Sequence, residues 1–289
     1  MIIFYFNKSK PNHHEMIKAL HDSYRGNKLL MNTRTFPGNM RLNNHAKVIV
    51  FAGMIRGEGN IYKWCSLRNK RFLYIDHAYL DAGYKSDPKK EWMRITDSGF
   101  LWNTMEDRPA DRWDAHFGSS YGTGLGSWMT NRDKKNILVL PPSLSTQWLF
   151  PESKTWLQQT LRELEPYTDK EIIIREKPLQ PVIDQANNIV DKSKYVHTKT
   201  IDQELADAYM VASYNSAVTV KATMMGIPVF TSQNCAAAPM SINLDQISDP
   251  PEPNRSRWLQ QLVYHQFRTS EMSDGTVLDM LGIQLIGKK

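Results

Sequence analysis

The stretch 210–232, MVASYNSAVTVKATMMGIPVFTS, gathers groups that could do chemistry: an apolar run ending in Asn215 and Ser216, then a helix-like run closed by Gly226. In an open parallel sheet, ligands bind beyond the carboxyl ends of the strands, where loops enter helix N-termini. Asn215 and Ser216 fall at such a place. Either side chain can cap the following helix, whose first-turn amides and dipole suit a phosphate. Thr219, one turn on, adds a hydroxyl. The plainer reading of the pair is an N-cap, with Gly226-Ile227-Pro228-Val229 an ordinary helix-to-strand turn.

A second set lies near the start of the chain. RFLYIDHAYLDAGY puts Asp76 and His77 at the carboxyl end of a strand. Activating an acceptor hydroxyl takes a carboxylate or imidazole within hydrogen-bond reach. Asp76 is the first choice for that base and His77 the second, against the alternative of a turn cap and a satisfied polar residue. In FAGMIRGEGN, glycines around Arg56 follow another strand, so amides and a guanidinium can meet a phosphate or acceptor. GTGLGS at 122–127 lacks a preceding strand, fails as a dinucleotide fingerprint and reads as a mobile loop or hinge. His13 and His14 are adjacent, a poor arrangement for one metal, and no metal or bound cofactor is assigned. Cys65 and Cys235 show no ligand spacing and no disulfide framework, which suits a reducing cytoplasm.

The elements that must position these groups alternate. IIFYF, AKVIVFAG and RFLYIDHAYL read as strands, with HHEMIKALHDSY and EGNIYKWCSLRN as helices between them. Residues 85 to about 135 read as turn-rich loops carrying Trp over a cleft. Order resumes with NILVLPPS, then the helical PESKTWLQQTLRELEPY, the strand EIIIREKP, and IDQELADAYMVAS as a helix running into a strand. NSAVTVKATMMG follows as a helix, IPVFTS as a strand, and RWLQQLVYHQF as a terminal helix. Strands rich in β-branched residues without polar alternation predict parallel sheets covered on both faces.

At 289 residues the chain calls for two domains. Apolar residues make up 41% of it, yet no run reaches the length of about 18 needed to span a bilayer. MIIFYFNKSK has its charge after its apolar run, the wrong order for a secretory signal. Residues 1–136 hold 22 Lys and Arg against 13 Asp and Glu, a net of +9, whereas 137–289 hold 14 against 17, a net of −3. Such asymmetry suggests that the first domain meets a polyanion, unless its surface is merely solvated. Five of the eight Trp (64, 92, 102, 113 and 128) share that basic half. Aromatics on basic loops suit an unstacked base or a sugar ring, and Trp in a core is the alternative.

The order of elements from NILVLPPS to the Gly-Ile-Pro-Val turn resembles the donor-binding domain of GT-B glycosyltransferases, particularly capsule-type and bacteriophage DNA-modifying enzymes. The resemblance covers residues 137–232 and reaches the N-terminal half only through its architecture. It implies an α/β fold of two Rossmann-like domains facing a central cleft, with an acceptor domain at 1–136 and a nucleotide-sugar domain at 137–289. It further implies that the Asn215–Ser216 turn and Thr219 hold the donor's diphosphate, that Arg175 and Lys177 neutralise it on departure, and that His197 contacts the donor. Lys221 stands where many such enzymes carry a ribose-binding Glu, and a lysine cannot accept those hydrogen bonds. The reading is thus a cytoplasmic glycosyltransferase using a nucleotide sugar as co-substrate, with DNA bearing a hydroxymethylated pyrimidine as the favoured acceptor. A surface-polysaccharide transferase and a non-catalytic DNA-binding protein on the same scaffold are the alternatives.

Overall fold

The computed structural model describes residues 1–53, 58–81, 92–102, 105, 108–129, 133–134, 136–176, 182–183, 189–190 and 198–283. The chain divides into two compact units, Met1–Trp102 with Tyr264–Lys289, and Asn103–Val263. The first begins with β1 (Ile2–Phe6), α1 (Pro11–Ser23), β2 (Lys28–Asn32), α2 (Met40–His45), β3 (Val48–Ala52), α3 (Glu58–Leu67), β4 (Phe72–His77) and β5 (Trp92–Asp97). The second runs through α4 (Asp111–His116), α5 (Gly118–Tyr121), β6 (Asn136–Leu140), α6 (Leu144–Leu149), α7 (Trp156–Leu164), β7 (Glu171–Ile174), β8 (Val182–Ile183) and β9 (Ile189–Val190). It continues with α8 (Ile201–Asp207), β10 (Ala208–Ser213), α9 (Val218–Met225), β11 (Val229–Thr231) and α10 (Ser256–Val263). The chain then returns to the first unit as β12 (Gln266–Arg268), α11 (Thr269–Asp274) and α12 (Thr276–Met280).

The boundary therefore differs from the one expected at 136/137. Two strands hidden in the sequence explain why. WMRITD, read as loop, is β5, antiparallel to β4, and β12 pairs antiparallel with β5. RWLQQLVYHQF is a helix only to Val263, and its last residues enter β12. The charge asymmetry survives the new boundary: the first unit holds 20 Lys and Arg against 11 Asp and Glu and the second 16 against 19, again +9 and −3.

The first sheet has the order β12-β5-β4-β3-β1-β2, with β1 to β4 parallel. The second, β11-β10-β6-β7, is parallel throughout, and β8 and β9 form a separate antiparallel pair. In each large sheet the first strand of the unit has neighbours on both sides, so the chain reverses its direction of travel across the sheet beside that strand. The crevices at those reversals, between β1 and β3 and between β6 and β10, are where a ligand is expected.

Alternation along the strands divides the first unit's core. Ile2, Phe4, Val48, Val50, Leu73 and Ile75 pack against Met16, Ile17 and Leu20 of α1 and against Met272, Val277 and Leu278 of the returning helices. The opposite face holds Tyr5, Phe51 and Tyr74 beneath α2, α3 and the 3₁₀-helical segment Thr33–Asn39. There Phe36 meets Tyr5 edge-on at 5.3 Å and Trp64 at 5.7 Å, while the Tyr5 hydroxyl donates to Asn43 Oδ1 at 2.7 Å. Burial pushes the Tyr5 phenol up to about 12. Trp64, Trp92, Trp102 and Trp113 are all buried, so they are core rather than the stacking surface the sequence suggested.

In the second unit the GTGLGS segment is pinned rather than built as a hinge. Gly126 donates its N–H to Met224 O at 2.8 Å, and Met129 donates to Gly226 O at 2.7 Å. Buried Arg255 donates to Thr223 O and to Gly126 O, both at 2.5 Å, and lies 4.0 Å over the Trp128 ring. It thereby satisfies carbonyls left open at the C-terminal end of α9.

Candidate functional site

In the second unit, β6 ends in Leu140-Pro141-Pro142-Ser143 and β10 in Ser213-Tyr214-Asn215-Ser216. Proline stops the strand, and Ser143 caps α6 by accepting from Thr146 N at 3.2 Å. Ser213 Oγ donates to Leu140 O at 3.2 Å and accepts from Ser216 N at 3.0 Å, which fixes the two strand ends together. Ser216 Oγ accepts from Val218 N at 3.2 Å and so closes the turn into α9, whose N-cap position is Ala217. Asn215 does something else. Its Oδ1 accepts from Thr146 Oγ1 at 3.4 Å across the β6/β10 crevice, and its buried Nδ2 has no hydrogen-bond partner among the described residues. A buried amide donor left open at a topological switch point is a group for a ligand oxygen to complete.

The other donor-site expectations fare differently. Thr219 is fully buried, donates to Ser216 O at 2.6 Å and lies 3.1 Å from Cys235 Sγ, so it is a structural residue and not a phosphate contact. Burial pushes the Cys235 thiol up, in keeping with an inert side chain. Arg175 follows β7 as expected, but its Nη1 pairs with Glu204 Oε1 at 2.7 Å and donates to Lys199 O at 2.9 Å. It staples β7 to α8, and neutralising a phosphate would require that pair to open. Lys221 faces α8 too, 2.5 Å from Asp202 Oδ1 in an exposed pair of the kind that contributes little. Lys177 and His197 lie outside the described residues, as does Arg56 in the first unit.

Asp76 and His77 do end β4. Asp76 is not a poised base, however. Its Oδ2 accepts from the Tyr74 hydroxyl and from Arg94 Nη2 at 3.1 Å, and its Oδ1 accepts from His77 N at 2.8 Å. Burial pushes its pKa up, but Arg94, Tyr74 and the His77 amide outweigh burial and hold the carboxyl below the usual range. Arg94 is itself enclosed by the rings of Tyr74, Tyr79 and Phe100 at 5.4 to 5.7 Å. The pair joins β4 to β5, and a carboxylate so engaged is a weak proton acceptor. Replacing Arg94 with methionine is expected to cost about 3–5 kcal/mol, because it strands a part-buried carboxylate. A chemical denaturation midpoint checks this, and an unchanged midpoint would show the pair to be dispensable.

Of the residues brought to the first unit's switch point, only His13 is named from the sequence, and there as half of an adjacent His pair. Asn7, just past β1, accepts from Ser9 N at 2.9 Å and donates from Nδ2 to Glu58 Oε1 at 2.5 Å. Glu58 opens α3, is wholly buried, and has Oε2 3.7 Å from Lys10 Nζ with no hydrogen bond among the described residues. Lys10 and Pro11 start α1, with the proline at a first-turn position that needs no N–H. His13, in the same turn, has a buried Nδ1 without a hydrogen-bond partner among the described residues, while the Ala52 backbone bonds its imidazole. Gly53, φ +76°, ends β3 beside it, and a Cβ there would stand 2.9 Å from both His13 Cε1 and Lys10 Nζ. Burial, then Lys10, push the His13 imidazole below its ordinary pKa, with Asp76 opposing. The result is an imidazole held toward its neutral form near the Lys10 ammonium, which in turn lies 3.7 Å from the buried Glu58 carboxylate, a set of groups suited to acid–base work. The signal in the sequence was FNKSKPNHH, a strand end running into a helix start, the same rule that singled out Asn215. Among the described residues, no group of three or more His, Cys, Asp or Glu side chains is arranged to hold a metal.

No family model and no curated protein matches the sequence. Among solved structures, the chain is similar to the KpsC β-Kdo 2,4 transferase of Thermosulfurimonas dismutans, with a TM-score of 0.50, 10% identity, and coverage of 92% of this chain and 91% of that one. A KpsC β-Kdo 2,7 transferase of the same organism aligns with a TM-score of 0.49 and 11% identity, over 98% and 99% of the two chains. The likeness to the first is one of fold: two α/β domains of GT-B-like type, as the order of elements from residue 137 to 232 led one to expect.

Proposed function

We propose that this chain transfers a sugar from a nucleotide-sugar donor to a hydroxyl of a growing surface polysaccharide. The observation that carries the reading is Asn215, whose open amide donor stands at the β6/β10 switch point beside the turn into α9. The donor's phosphate would complete it, helped by the N-terminal end of α9. The groups described around it, Ser143, Thr146, Ser213 and Ser216, are neutral, and Arg175 and Lys221 are engaged with carboxylates. A leaving group with one phosphate suits that environment better than a diphosphate, whose greater charge calls for cations. At the other switch point, His13 takes the acceptor's proton while Lys10 and Glu58 hold the hydroxyl's surroundings.

The polysaccharide acceptor is preferred to DNA on two grounds. Trp64, Trp92, Trp102 and Trp113 are buried, which removes four of the five tryptophans of the basic half from any stacking platform. The similar structure is that of a Kdo transferase, so a nucleotide-activated sugar of that type is the first donor to try.

Asn215→Asp should raise the donor KM about 100-fold by setting a carboxylate against the phosphate, and Asn215→Ala about 10-fold through loss of one charge-assisted bond. Equal donor KM values in all three proteins would remove the phosphate from this crevice. The activity itself is tested by mass spectrometry of an acceptor oligosaccharide mixture after incubation with mono- and diphosphate nucleotide sugars. A gain of one sugar residue is expected. A gain on hydroxymethylated DNA alone would transfer the acceptor role to DNA, and donor binding with no gain on either would make the chain a binding protein.

A further inference from the structure

A group of the first unit's cations lies at the amino-terminal end of its sheet, away from the switch point. Between Asp22 and Asp76 the sequence carries ten Lys and Arg and a single acid, Glu58, which is buried at the carboxyl ends of the strands. The parallel strands β2, β3 and β4 start at Lys28, Val48 and Phe72, directly at or after Lys28, Lys47 and Arg71. Lys28 caps the last carbonyls of α1, and Arg71 pairs with Asp97 at 2.6 Å. What remains at this amino-terminal end is Arg41, Lys47 and Arg68, all exposed, and Lys70, whose Nζ donates to Asn44 O at 2.9 Å and so binds the turn after α3 to the end of α2. None of the four has a carboxylate within 4.0 Å among the described residues. Two aliphatic side chains stand among them: Leu67, the last residue of α3, is 81% exposed, and Leu42 of α2 is 38% exposed. The aromatic side chains beneath, Phe36 and Trp64, are buried, the latter under Arg68 at 5.0 Å.

We propose that this amino-terminal end of the first sheet docks on an anionic membrane surface, with Arg41, Lys47, Arg68 and Lys70 meeting headgroup charge and Leu42 and Leu67 entering the interface. Clustered cations that outnumber the acids Asp22 and Asp97 of this end match an anionic leaflet, and exposed aliphatic rather than aromatic side chains match lipid rather than unstacked bases. No helix among the described residues is long and apolar enough to cross a membrane, so the attachment is peripheral. Strands of five residues at about 3.3 Å each set the two ends of the sheet roughly 17 Å apart. On the function proposed above, the docked unit would hold its switch point at least that far from the headgroups and reach an acceptor already several sugars long.

The test is co-sedimentation of the full chain with vesicles of phosphatidylcholine alone or with about 30% phosphatidylglycerol, at about 0.1 M salt. Binding does not depend on catalysis, so the result stands whatever the sugar assay gives. Partition onto the anionic vesicles should exceed that onto the neutral ones at least tenfold, and K47E/R68E should lose that excess. R41E/K47E, which leaves the Arg68–Trp64 contact alone, should do the same with an unchanged melting temperature. Leu67→Gln should lose several-fold at both low and high salt. Equal partition onto both vesicles, or full binding by a folded R41E/K47E, would overturn the proposal, as would release from the vesicles by duplex DNA at equal phosphate concentration.

Discussion

His13→Gln is expected to keep the fold and lose about 10²- to 10⁴-fold in kcat, the range that a positioned general base supplies. Glutamine preserves polarity and approximate volume in the first turn of α1 but cannot take a proton. The pH profile separates this from a structural effect. Burial, and then Lys10, depress the imidazole pKa, so the base form is already present at neutral pH and activity should fall only as pH drops below about 6.5. Stability has the same sign: the unfolded chain binds a proton that the folded one resists, so the contribution is present above the unfolded value and lost as pH falls through the folded one. The glutamine protein should lack both acid limbs. Asp76→Asn, by contrast, should act mainly on stability through Arg94. An equal loss of kcat there, with normal melting, would return the base to Asp76.

Gly226→Ala should destabilise the second unit by about 3–5 kcal/mol. Gly226 closes α9 at φ +86°, a left-handed conformation that costs an L-residue roughly 1–2 kcal/mol. A Cβ there would also fall 2.0 Å from Ser127 O and 2.9 Å from Trp128 Cα. Both are backbone atoms, so no rotamer change relieves the clash. The segment has to move, which breaks the Gly126–Met224 and Met129–Gly226 hydrogen bonds and the Arg255 contacts. A urea midpoint reads the loss, and a change under about 1 kcal/mol would mean that the segment yields cheaply.

Much of the fold was legible because apolar periodicity speaks clearly where a strand is buried on both faces. IIFYF, VIVFA and NILVL have no polar alternation, and each is a central parallel strand. KLLMN was missed because it is a half-buried edge strand. WMRITD was missed because Lys, Asp and Pro surround it, and β12 because three residues carry no period at all. The domain boundary depended on those strands and so went astray with them. In the site, strand-end position was legible and side-chain engagement was not. Position found Asn215, Arg175 and Asp76, but nothing in sequence order says that Glu204 will take Arg175 or that Arg94, eighteen residues on, will take Asp76. The same positional rule applied to FNKSKPNHH points to the start of α1, where the proposed base His13 stands.

The most direct test of the account is the rate at which free nucleotide appears when the purified chain is given nucleotide sugars with and without an oligosaccharide acceptor. Acceptor-dependent release from at least one donor is expected in the native protein, with a drop of about 100-fold or more in the His13→Gln protein. Release from no donor, or equal release by the native and His13→Gln proteins, would contradict it.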